Sequence, residues 1–163
     1  MNDLEKAHKN VQAAIVELDG GYKIHDHGKI SSEIKTPHDF AAALGYPIQR
    51  ITKTLFLHSH DGQVSVATVC SIDRRLNFRS IADALGVKRV EAASPEELQA
   101  RTGYLRNAVS PLGLTGDIAI VVDSSLFDYP TVLIGSGAIA IEIELPPADL
   151  VRISKAKVQS ITT

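Results

Sequence analysis

The chain has 163 residues, of which 44% are hydrophobic and 22% are charged, and its formal net charge is −2. This length and composition are typical of a single globular domain with a substantial buried core. The small net charge excludes a global attraction to nucleic acid or to membrane surfaces, so nucleic-acid binding would require a local basic patch. Cys70 is the only cysteine, which excludes a disulfide framework and a cysteine zinc site.

Apolar runs and the N-terminal residues bear on the location of the protein. No apolar run approaches the roughly 20 residues of a transmembrane span. The polar N-terminus lacks the basic and then apolar layout of a signal peptide. The sequence therefore predicts a cytoplasmic protein with no membrane partner.

The N-terminal third of the chain predicts two helices. Apolar residues at helical spacing predict a first helix over about residues 2–19, ahead of a domain core over about 20–158. The segment 36–45 predicts a second helix, because Thr36 is a good N-cap and Gly45 follows the last apolar residue. These two signals are local and independent of the rest of the fold.

The remaining segments alternate between strands and short helices. Segments 51–58 and 63–70 flank a turn at Asp61-Gly62, which predicts a β-hairpin. Further along the chain, the pattern predicts helices over 77–86, 94–103 and 146–154, and strands over 117–123, 131–135 and 138–145. Strands interspersed with brief helices indicate a mixed α/β single domain. Glycine-rich nucleotide-binding motifs are absent from the sequence.

Lys53 is the residue that fits its strand least well. In the segment 51–58 it has the same parity as Ile51, Leu55 and Leu57, so it shares a strand face with three large aliphatic side chains. Either this is an edge or short strand, from which the lysine reaches water, or the face lines a pocket. In a pocket, the ammonium would meet an anionic or carbonyl-bearing ligand.

Two glycine-containing segments are further candidates. The loop over 104–117 contains Asn107, Ser110 and Pro111 between an amphipathic helix and a buried strand. It is either a long connection or a loop that turns backbone N–H groups toward an oxyanion or phosphate. The glycines of segment 134–138 either form a tight turn between strands or let the backbone approach a ligand closely.

The histidines allow a metal-site hypothesis. His25 and His27, and likewise His58 and His60, would each lie on one face of an extended segment. Four imidazoles can form a metal site, but no carboxylate falls at a diagnostic spacing, and His58 and His60 lie at the predicted hairpin tip. Exposed or locally hydrogen-bonded histidines are the alternative.

The acidic residues and the cysteine give little sign of catalysis. Glu142 and Glu144 alternate with isoleucines, which predicts that both lie on a solvated strand face. Cys70 has no evident activating partner, and no Ser-His-Asp order is apparent.

In their order along the chain, four segments resemble the YbaK/prolyl-tRNA synthetase editing-domain family. They are ITKTLFL at 51–57, DRRLNFRSIADALGVKRV at 73–90, TGYLRNAVSPLG at 102–113 and TVLIGSGAIAIEIELPPADL at 131–150. The Lys-Thr pair in the first segment and the GYL…SPLG loop in the third are the most specific parts.

The resemblance implies a fold and a reaction. The implied fold is a single α/β domain with a curved mixed β-sheet flanked by short helices. The implied reaction is the metal-independent and cofactor-free hydrolysis of the ester that joins a wrong amino acid to a tRNA. The expected partner is the acceptor end of an aminoacyl-tRNA, and a synthetase partner and the choice between monomer and homodimer remain open.

Site residues follow from the resemblance by position. Lys53 matches the family lysine that contacts the terminal adenosine of the tRNA, and the 107–111 loop matches the element whose backbone amides bind the ester carbonyl. The predicted catalytic residues are Lys53, Asn107, Ala108, Ser110 and Pro111, and the predicted substrate-binding residues are Thr54, Gly113, Gly135, Ser136, Gly137 and Glu142. The resemblance implies no metal ligands.

Two departures from the family pattern affect the functional prediction. Asn107 and Ala108 stand where many members have glycine, and Ala108 adds a Cβ where the substrate should approach. We expect a trans-editing aminoacyl-tRNA deacylase for a small amino acid such as Ala, Cys or Ser, with tRNA-Pro among the candidate tRNAs. The alternative is a non-catalytic module that binds an aminoacyl-tRNA end, a nucleotide-like ligand or a synthetase. A metal-dependent hydrolase that uses the histidine pairs is a distant third.

Overall fold

A computed structural model describes residues 3–18 and 20–163. The strands are β1 Lys23–Asp26, β2 Thr52–Ser59, β3 Ser65–Ser71, β4 Val90–Ala92, β5 Ile118–Asp123, β6 Val132–Gly135, β7 Ile141–Leu145 and β8 Lys157–Gln159. The α-helices are α1 Lys9–Ile15, α2 Pro37–Leu44, α3 Phe78–Leu85, α4 Pro95–Thr102 and α5 Pro147–Ser154. None of these helices is long and apolar enough to cross a membrane.

The strands form two sheets, and together with the helices they confirm the predicted mixed α/β class. The larger sheet has the order β4-β2-β3-β5-β8, in which β3, β5 and β8 are parallel and the other pairs are antiparallel. The smaller sheet has the order β1-β7-β6 and is antiparallel. The sheets meet where Ile51 bridges Leu133 and where the Thr52 hydroxyl donates to the Leu133 carbonyl at 2.7 Å.

Local sequence signals determine the helix ends. Thr36 and Asp39 form a reciprocal capping box at the start of α2, and Gly45 ends the helix in the left-handed conformation. The Asn77 side chain caps the start of α3 by accepting from the Ser80 N–H, and Gly86 ends that helix in the left-handed conformation. The predicted hairpin is also present, because β2 and β3 pair antiparallel across the 60–64 turn.

The N-terminal segment differs from the single helix predicted over about 2–19. Within the described residues it consists of a 3₁₀ turn at Asp3–Lys6, helix α1 and a second 3₁₀ turn at Val16–Leu18, while residues 2 and 19 lie outside the described part. The interruption lies at His8, whose N–H donates to the Ser136 carbonyl at 3.0 Å and whose ring accepts from the Asn10 N–H.

The last predicted strand also begins later than its alternating pattern suggests. The pattern predicted a strand from residue 138, but β7 starts at Ile141. Ala140 has a φ of 64°, in the left-handed region that few non-glycine residues adopt. Ile139 is therefore part of an exposed turn rather than of the apolar strand face.

Packing fixes the position of α2 relative to the sheets. The largest apolar cluster joins the N-terminal segment, both sheets and α5. A smaller cluster packs Phe40 and Ala41 of α2 against Ile51 and Leu133, at the point where the sheets meet. Burial of large side chains such as these contributes about 1.5–3 kcal/mol each, so α2 is held next to the start of β2.

Candidate active site

A cavity of about 490 Å³ lies between the start of β2, α2, the 106–109 loop and the β6–β7 turn. Its volume falls in the range of small-ligand sites, about 300–1,000 Å³. The apolar part of its wall includes Ile34, Phe40, Ile51, Ile72, Val109 and Ile141. Polar side chains from five separate segments interrupt this wall, which makes the cavity the main candidate for a binding site.

Lys53 is one of these polar residues, and it faces the cavity together with Asn107, Ala108 and Gly135. Within residues 3–18 and 20–163, no carboxylate lies within salt-bridge distance of its ammonium, and no hydrogen bond engages it. An uncompensated lysine in a concave, partly apolar wall is available to an anionic or polar ligand. Of the two accounts of Lys53 that the pattern allows, the geometry favours the pocket.

Cys70 lies directly opposite Lys53 in the β2–β3 pair and is fully buried. Burial raises the pKa of the Cys70 thiol to about 11, and the nearby Lys53 ammonium offsets this effect only in part. The nucleophilic form of cysteine is the thiolate, so Cys70 is a packed side chain rather than a nucleophile.

A thiol-labelling measurement tests this conclusion. At about pH 8 we expect Ellman's reagent to modify Cys70 about two orders of magnitude more slowly in the folded protein than in denaturant, because the folded thiol is shielded and protonated. Since Cys70 is the only cysteine, the absorbance reports this residue alone. Equal rates in the two states would contradict a buried, protonated thiol.

Gly135 allows the 106–109 loop to approach β6 closely. A Cβ built on Gly135 would lie 2.0 Å from the Val109 carbonyl oxygen, which is far inside van der Waals contact. Because the neighbouring atom belongs to the backbone, no side-chain rotation relieves the overlap. The absence of a side chain at this position therefore brings the loop into the cavity wall.

The same loop presents unused backbone donors. The Ala108 N–H donates to the Leu105 carbonyl at 2.9 Å. Asn107 and Val109 both line the cavity, and their N–H groups have no acceptor among the residues that the structure describes. Backbone N–H groups of this kind can stabilise an oxyanion.

Thr54 adds a third unsatisfied group. Its hydroxyl is buried and has no hydrogen-bond partner within residues 3–18 and 20–163, and the residue lines the cavity. A buried hydroxyl without a partner is costly. The assignment of Thr54 to substrate binding stays a prediction.

His27 and Glu142 form a pair that the sequence did not reveal. The Nε2–H of His27 donates to Oε2 of Glu142 at 2.6 Å, and both residues line the cavity. They are 115 residues apart, and the antiparallel pairing of β1 with β7 brings them together. The sequence placed His27 in the metal-site hypothesis or among exposed or locally hydrogen-bonded histidines, and no local pattern identified Glu142 as its partner.

A family model described as the aminoacyl-tRNA editing domain matches residues 31–153. The chain belongs to this family. The matched range includes every cavity-lining residue except His27, so the cavity is part of the editing domain and His27 reaches it from outside the matched range.

Relatives and solved structures agree with this assignment. The chain is 28% identical to EbsC of Enterococcus faecalis, a candidate Cys-tRNA(Pro)/Cys-tRNA(Cys) deacylase, over 76% of this chain and 74% of that protein. It is 25% identical to the prolyl-tRNA editing protein ProX of Acetoanaerobium sticklandii, over 90% and 84% of the two chains. The crystal structure of the hypothetical protein APE2540 superposes with a TM-score of 0.82 at 28% identity, covering 95% of this chain and all of that one (100%).

Several predicted site residues of this editing domain do not reach the cavity. They are Ser110, Pro111, Gly113, Ser136 and Gly137. The hydroxyl of Ser110 accepts from the Leu112 N–H at 3.1 Å, and that of Ser136 donates to the Ile141 carbonyl at 2.7 Å. Both serines are fully buried. In this geometry both hydroxyls stabilise turns.

The two glycines in that group accommodate the N-terminal segment. Gly113 and Gly137 have φ values of 72° and 81°. A Cβ on Gly113 would lie 2.7 Å from the Asn10 carbonyl oxygen, and a Cβ on Gly137 would lie 2.5 Å from the Cβ of His8. Their role in the structure is to permit this packing.

Glu144 contradicts the prediction of a solvated strand face. Its side chain is only 5% exposed, and it accepts hydrogen bonds from His25 at 2.8 Å, Tyr46 at 3.0 Å and Thr131 at 2.6 Å. The Arg50 guanidinium lies 3.4 Å away. Burial alone would raise the pKa of Glu144, but the hydrogen bonds outweigh burial and hold the pKa below its usual value.

The metal-site hypothesis fails within the described residues. No group of three or more histidine, cysteine or carboxylate side chains is arranged to hold a metal ion in residues 3–18 and 20–163. His25 and His27 are instead hydrogen-bonded to Glu144 and Glu142. The local hydrogen-bonding alternative is therefore correct for this pair.

Proposed function

We propose that this protein is a trans-editing deacylase that hydrolyses the ester between a small amino acid, such as Ala, Cys or Ser, and the 3′ end of a tRNA. The observation that carries the proposal is Lys53 in the cavity wall, which has no partner among the described residues and lies beside a loop whose Asn107 and Val109 N–H groups also have no acceptor among them. Family membership supports the same reaction class. Because aminoacyl-tRNAs are consumed in the cytoplasm, we also propose a cytoplasmic location.

The proposed reaction needs neither a metal nor an organic cofactor. A water oxygen attacks the ester carbonyl carbon, the carbonyl oxygen becomes an oxyanion, and the bond to the ribose oxygen then breaks. N–H groups of Asn107 and Val109 would stabilise the oxyanion, and one such donor typically contributes about 10²–10³ in rate. A neighbouring ribose hydroxyl of the substrate would accept the proton of the attacking water and pass its own proton to the departing ribose oxygen, so the protein need not supply a base.

Lys53 would position the substrate. Its ammonium is a compact point charge that suits the phosphate or ribose oxygens of the terminal adenosine. The Thr54 hydroxyl, which is buried and has no partner among the described residues, would have to turn into the cavity to form a hydrogen bond with the same nucleotide. The apolar part of the cavity wall limits the amino acid side chain to a modest size. An apolar pocket separates substrates that differ by one methylene by only about 1–3 kcal/mol.

Deacylation of three mischarged tRNAs and one correctly charged tRNA tests this function. Ala-, Cys- and Ser-tRNA(Pro), together with Cys-tRNA(Cys), would be incubated with wild type and with Lys53→Ala in the presence of a chelator. We expect one substrate to be hydrolysed and Lys53→Ala to lower kcat/KM by about 10- to 100-fold, the effect of losing a charged hydrogen bond. Lys88→Ala, which removes an exposed lysine that does not line the cavity, is the matched control.

The alternative function is a binding module on the same fold. Asn107 lies exposed at the cavity rim and Ala108 is packed in its wall, where many family members have glycine. If all four substrates persist while charged tRNA still binds, the deacylase proposal is wrong and these two residues are the first to replace with glycine. Activity that the chelator abolishes would contradict a metal-independent mechanism.

A further inference from the structure

We infer that Glu142 binds the α-ammonium group of the aminoacyl ester and that His27 is the residue that positions the Glu142 carboxylate. The inference rests on the proposed function for the identity of the ligand, and it adds a requirement that the substrate carry a free, protonated α-amino group. Contacts within the pair, the distribution of charge in the cavity and the position of Glu142 relative to the 106–109 loop each support it.

The hydrogen bond to His27 leaves half of the carboxylate free. Oε2 of Glu142 accepts from His27 at 2.6 Å, whereas Oε1 has no hydrogen-bond partner in the described part of the chain. The two side chains are 20% and 23% exposed, so the pair is partly desolvated but open to the cavity. A partly desolvated carboxylate with a free oxygen is suited to bind an ammonium group.

The imidazole itself is held in place from two sides. The backbone N–H of His27 donates to the Ala140 carbonyl at 3.0 Å. The His27 ring packs against the Phe40 ring with a centroid distance of 4.4 Å, and Phe40 is buried in the cluster that holds α2. These contacts fix the direction from which the imidazole donates, and thereby the orientation of the Glu142 carboxylate.

The charges that line the cavity match those of an aminoacyl-tRNA end. Among the described residues that form the wall, Glu142 is the one carboxylate, whereas Lys35, Lys53 and Arg106 are cations. The 3′ end of a charged tRNA carries several phosphates and a single ammonium group. The cations therefore correspond to the nucleotide part of the ligand, and Glu142 corresponds to its amino acid part.

The position of Glu142 agrees with the covalent structure of the ester. Glu142 pairs directly with Gly135 in the β6–β7 ladder, and Gly135 is the residue against which the Val109 backbone packs. The carboxylate-bearing residue is thus next to the loop that would bind the ester carbonyl. In an aminoacyl ester the ammonium-bearing carbon is bonded directly to that carbonyl carbon, so the two binding groups must be close to each other.

A pair of non-hydrolysable analogues tests the inference through binding alone. One is 3′-deoxyadenosine carrying an L-alanylamino group at C3′, and the other carries L-lactylamino, in which a hydroxyl replaces the ammonium. At about pH 7 the amine of the alanyl analogue is largely protonated. We expect wild type to bind the alanyl analogue at least about 10-fold more tightly than the lactyl analogue, because the lactyl analogue lacks the hydrogen bond between charged groups. Calorimetry or ligand-observed NMR gives both dissociation constants.

Two variants assign this preference to Glu142. In Glu142→Gln the alanyl-to-lactyl preference should fall to about 1, with binding of the lactyl analogue unchanged. Glu91→Gln is the matched control, because Glu91 also pairs with a histidine, His60, at 2.5 Å, but lies outside the cavity wall. The inference is wrong if wild type shows no preference, if neither analogue binds, or if Glu142→Gln weakens both analogues equally.

The alanyl-to-lactyl preference of two His27 variants tests the role of His27. His27→Ala frees the carboxylate to rotate, so the preference should drop by about 3- to 10-fold, an effect of about one hydrogen bond. His27→Gln retains an N–H donor and should restore most of the preference. If the alanine and glutamine variants behave alike, His27 contributes packing and does not position the carboxylate.

These experiments distinguish failure of the amino-group site from failure of the proposed deacylase function. An ammonium preference that depends on Glu142, in a protein that hydrolyses no aminoacyl-tRNA, supports the amino-group site and overturns the deacylase proposal. Hydrolysis of alanyl-tRNA and lactyl-tRNA at equal rates has the opposite meaning, since it supports deacylation and overturns amino-group recognition.

Discussion

Gly135→Ala is expected to lower the free energy of unfolding by about 3 kcal/mol or more, at the upper end of overpacking substitutions. The added Cβ would lie 2.0 Å from the Val109 carbonyl oxygen and 3.0 Å from the carbonyl carbon. Relief therefore requires that β6 or the 106–109 loop move as a whole. Urea unfolding followed by circular dichroism measures the loss.

A second glycine in a nearby segment provides the control. A Cβ added at Gly116 would meet no atom within 4 Å, and this glycine does not adopt a positive φ. Gly116→Ala is expected to leave stability unchanged or to raise it by up to about 1 kcal/mol, since alanine reduces the entropy of the unfolded chain. Equal urea midpoints for the two variants would show that the loop and β6 are not in close contact.

If Gly135→Ala folds, its cavity should be altered, because the loop that carries Asn107 and Val109 is the part that must shift. We then expect kcat/KM for deacylation to be lower in Gly135→Ala than in wild type even at temperatures at which both proteins are fully folded. Under those conditions the loss of stability does not explain the difference. The glycine is thus important both for the fold and for the proposed oxyanion donors.

Local signals in the sequence were sufficient to predict most elements. Thr36 and Gly45 bound α2 because a side-chain cap and a left-handed glycine act within one turn of helix. The β2–β3 hairpin follows from two alternating segments and a short turn. The predicted mixed α/β class is confirmed, since the element types and their order depend on such short-range patterns.

The division into two sheets could not be predicted in the same way. It depends on which strands pair over long distances, such as β1 with β7, and on the junction at Ile51 and Leu133. The left-handed Ala140 likewise shortened β7, although the alternation of residues 138–145 showed no sign of a break. Long-range pairing and local strain at a non-glycine residue leave no periodic signal.

The candidate site shows a similar division. Lys53 was identified because a charged residue on an apolar strand face is an exception to a local rule. His27 and Glu142 are ordinary residues of their own segments, and only the fold brings them together. Gly113 and Gly137 matched the family by position, but a sequence does not say which neighbour a glycine accommodates.

Glu144→Ala is expected to destabilise the protein by about 3–5 kcal/mol at neutral pH, the cost of removing one partner from a buried ion pair. Glu144 was predicted to be solvated because it alternates with isoleucines, yet it lies at the centre of a buried polar cluster. Its loss leaves the Arg50 guanidinium, which is 13% exposed, without its carboxylate. The hydroxyl of Tyr46 and the ring of His25 lose the same acceptor.

The pH dependence of this loss separates charge from packing. The pKa of Glu144 is lowered in the folded protein. Its carboxylate therefore contributes stability that is fully present above the pKa of a glutamate in the unfolded chain, about 4.3. This stability is lost as the pH falls through the lower pKa of the folded protein. The difference in unfolding free energy between wild type and Glu144→Gln, which keeps the side-chain volume, should therefore be constant from about pH 7 to 5.5 and shrink at lower pH.

Urea midpoints measured across this range for wild type, Glu144→Gln and the exposed-site variant Glu96→Gln test this prediction. A constant deficit down to acid pH would mean that the glutamine variant is destabilised by imperfect hydrogen bonding and not by loss of charge. A deficit that shrinks only in Glu144→Gln would show that the carboxylate stabilises the junction of β1, β7 and α2. This junction also holds Phe40 and, through Phe40, the His27 ring at the cavity, so the buried carboxylate would help to maintain the geometry of the proposed amino-group site.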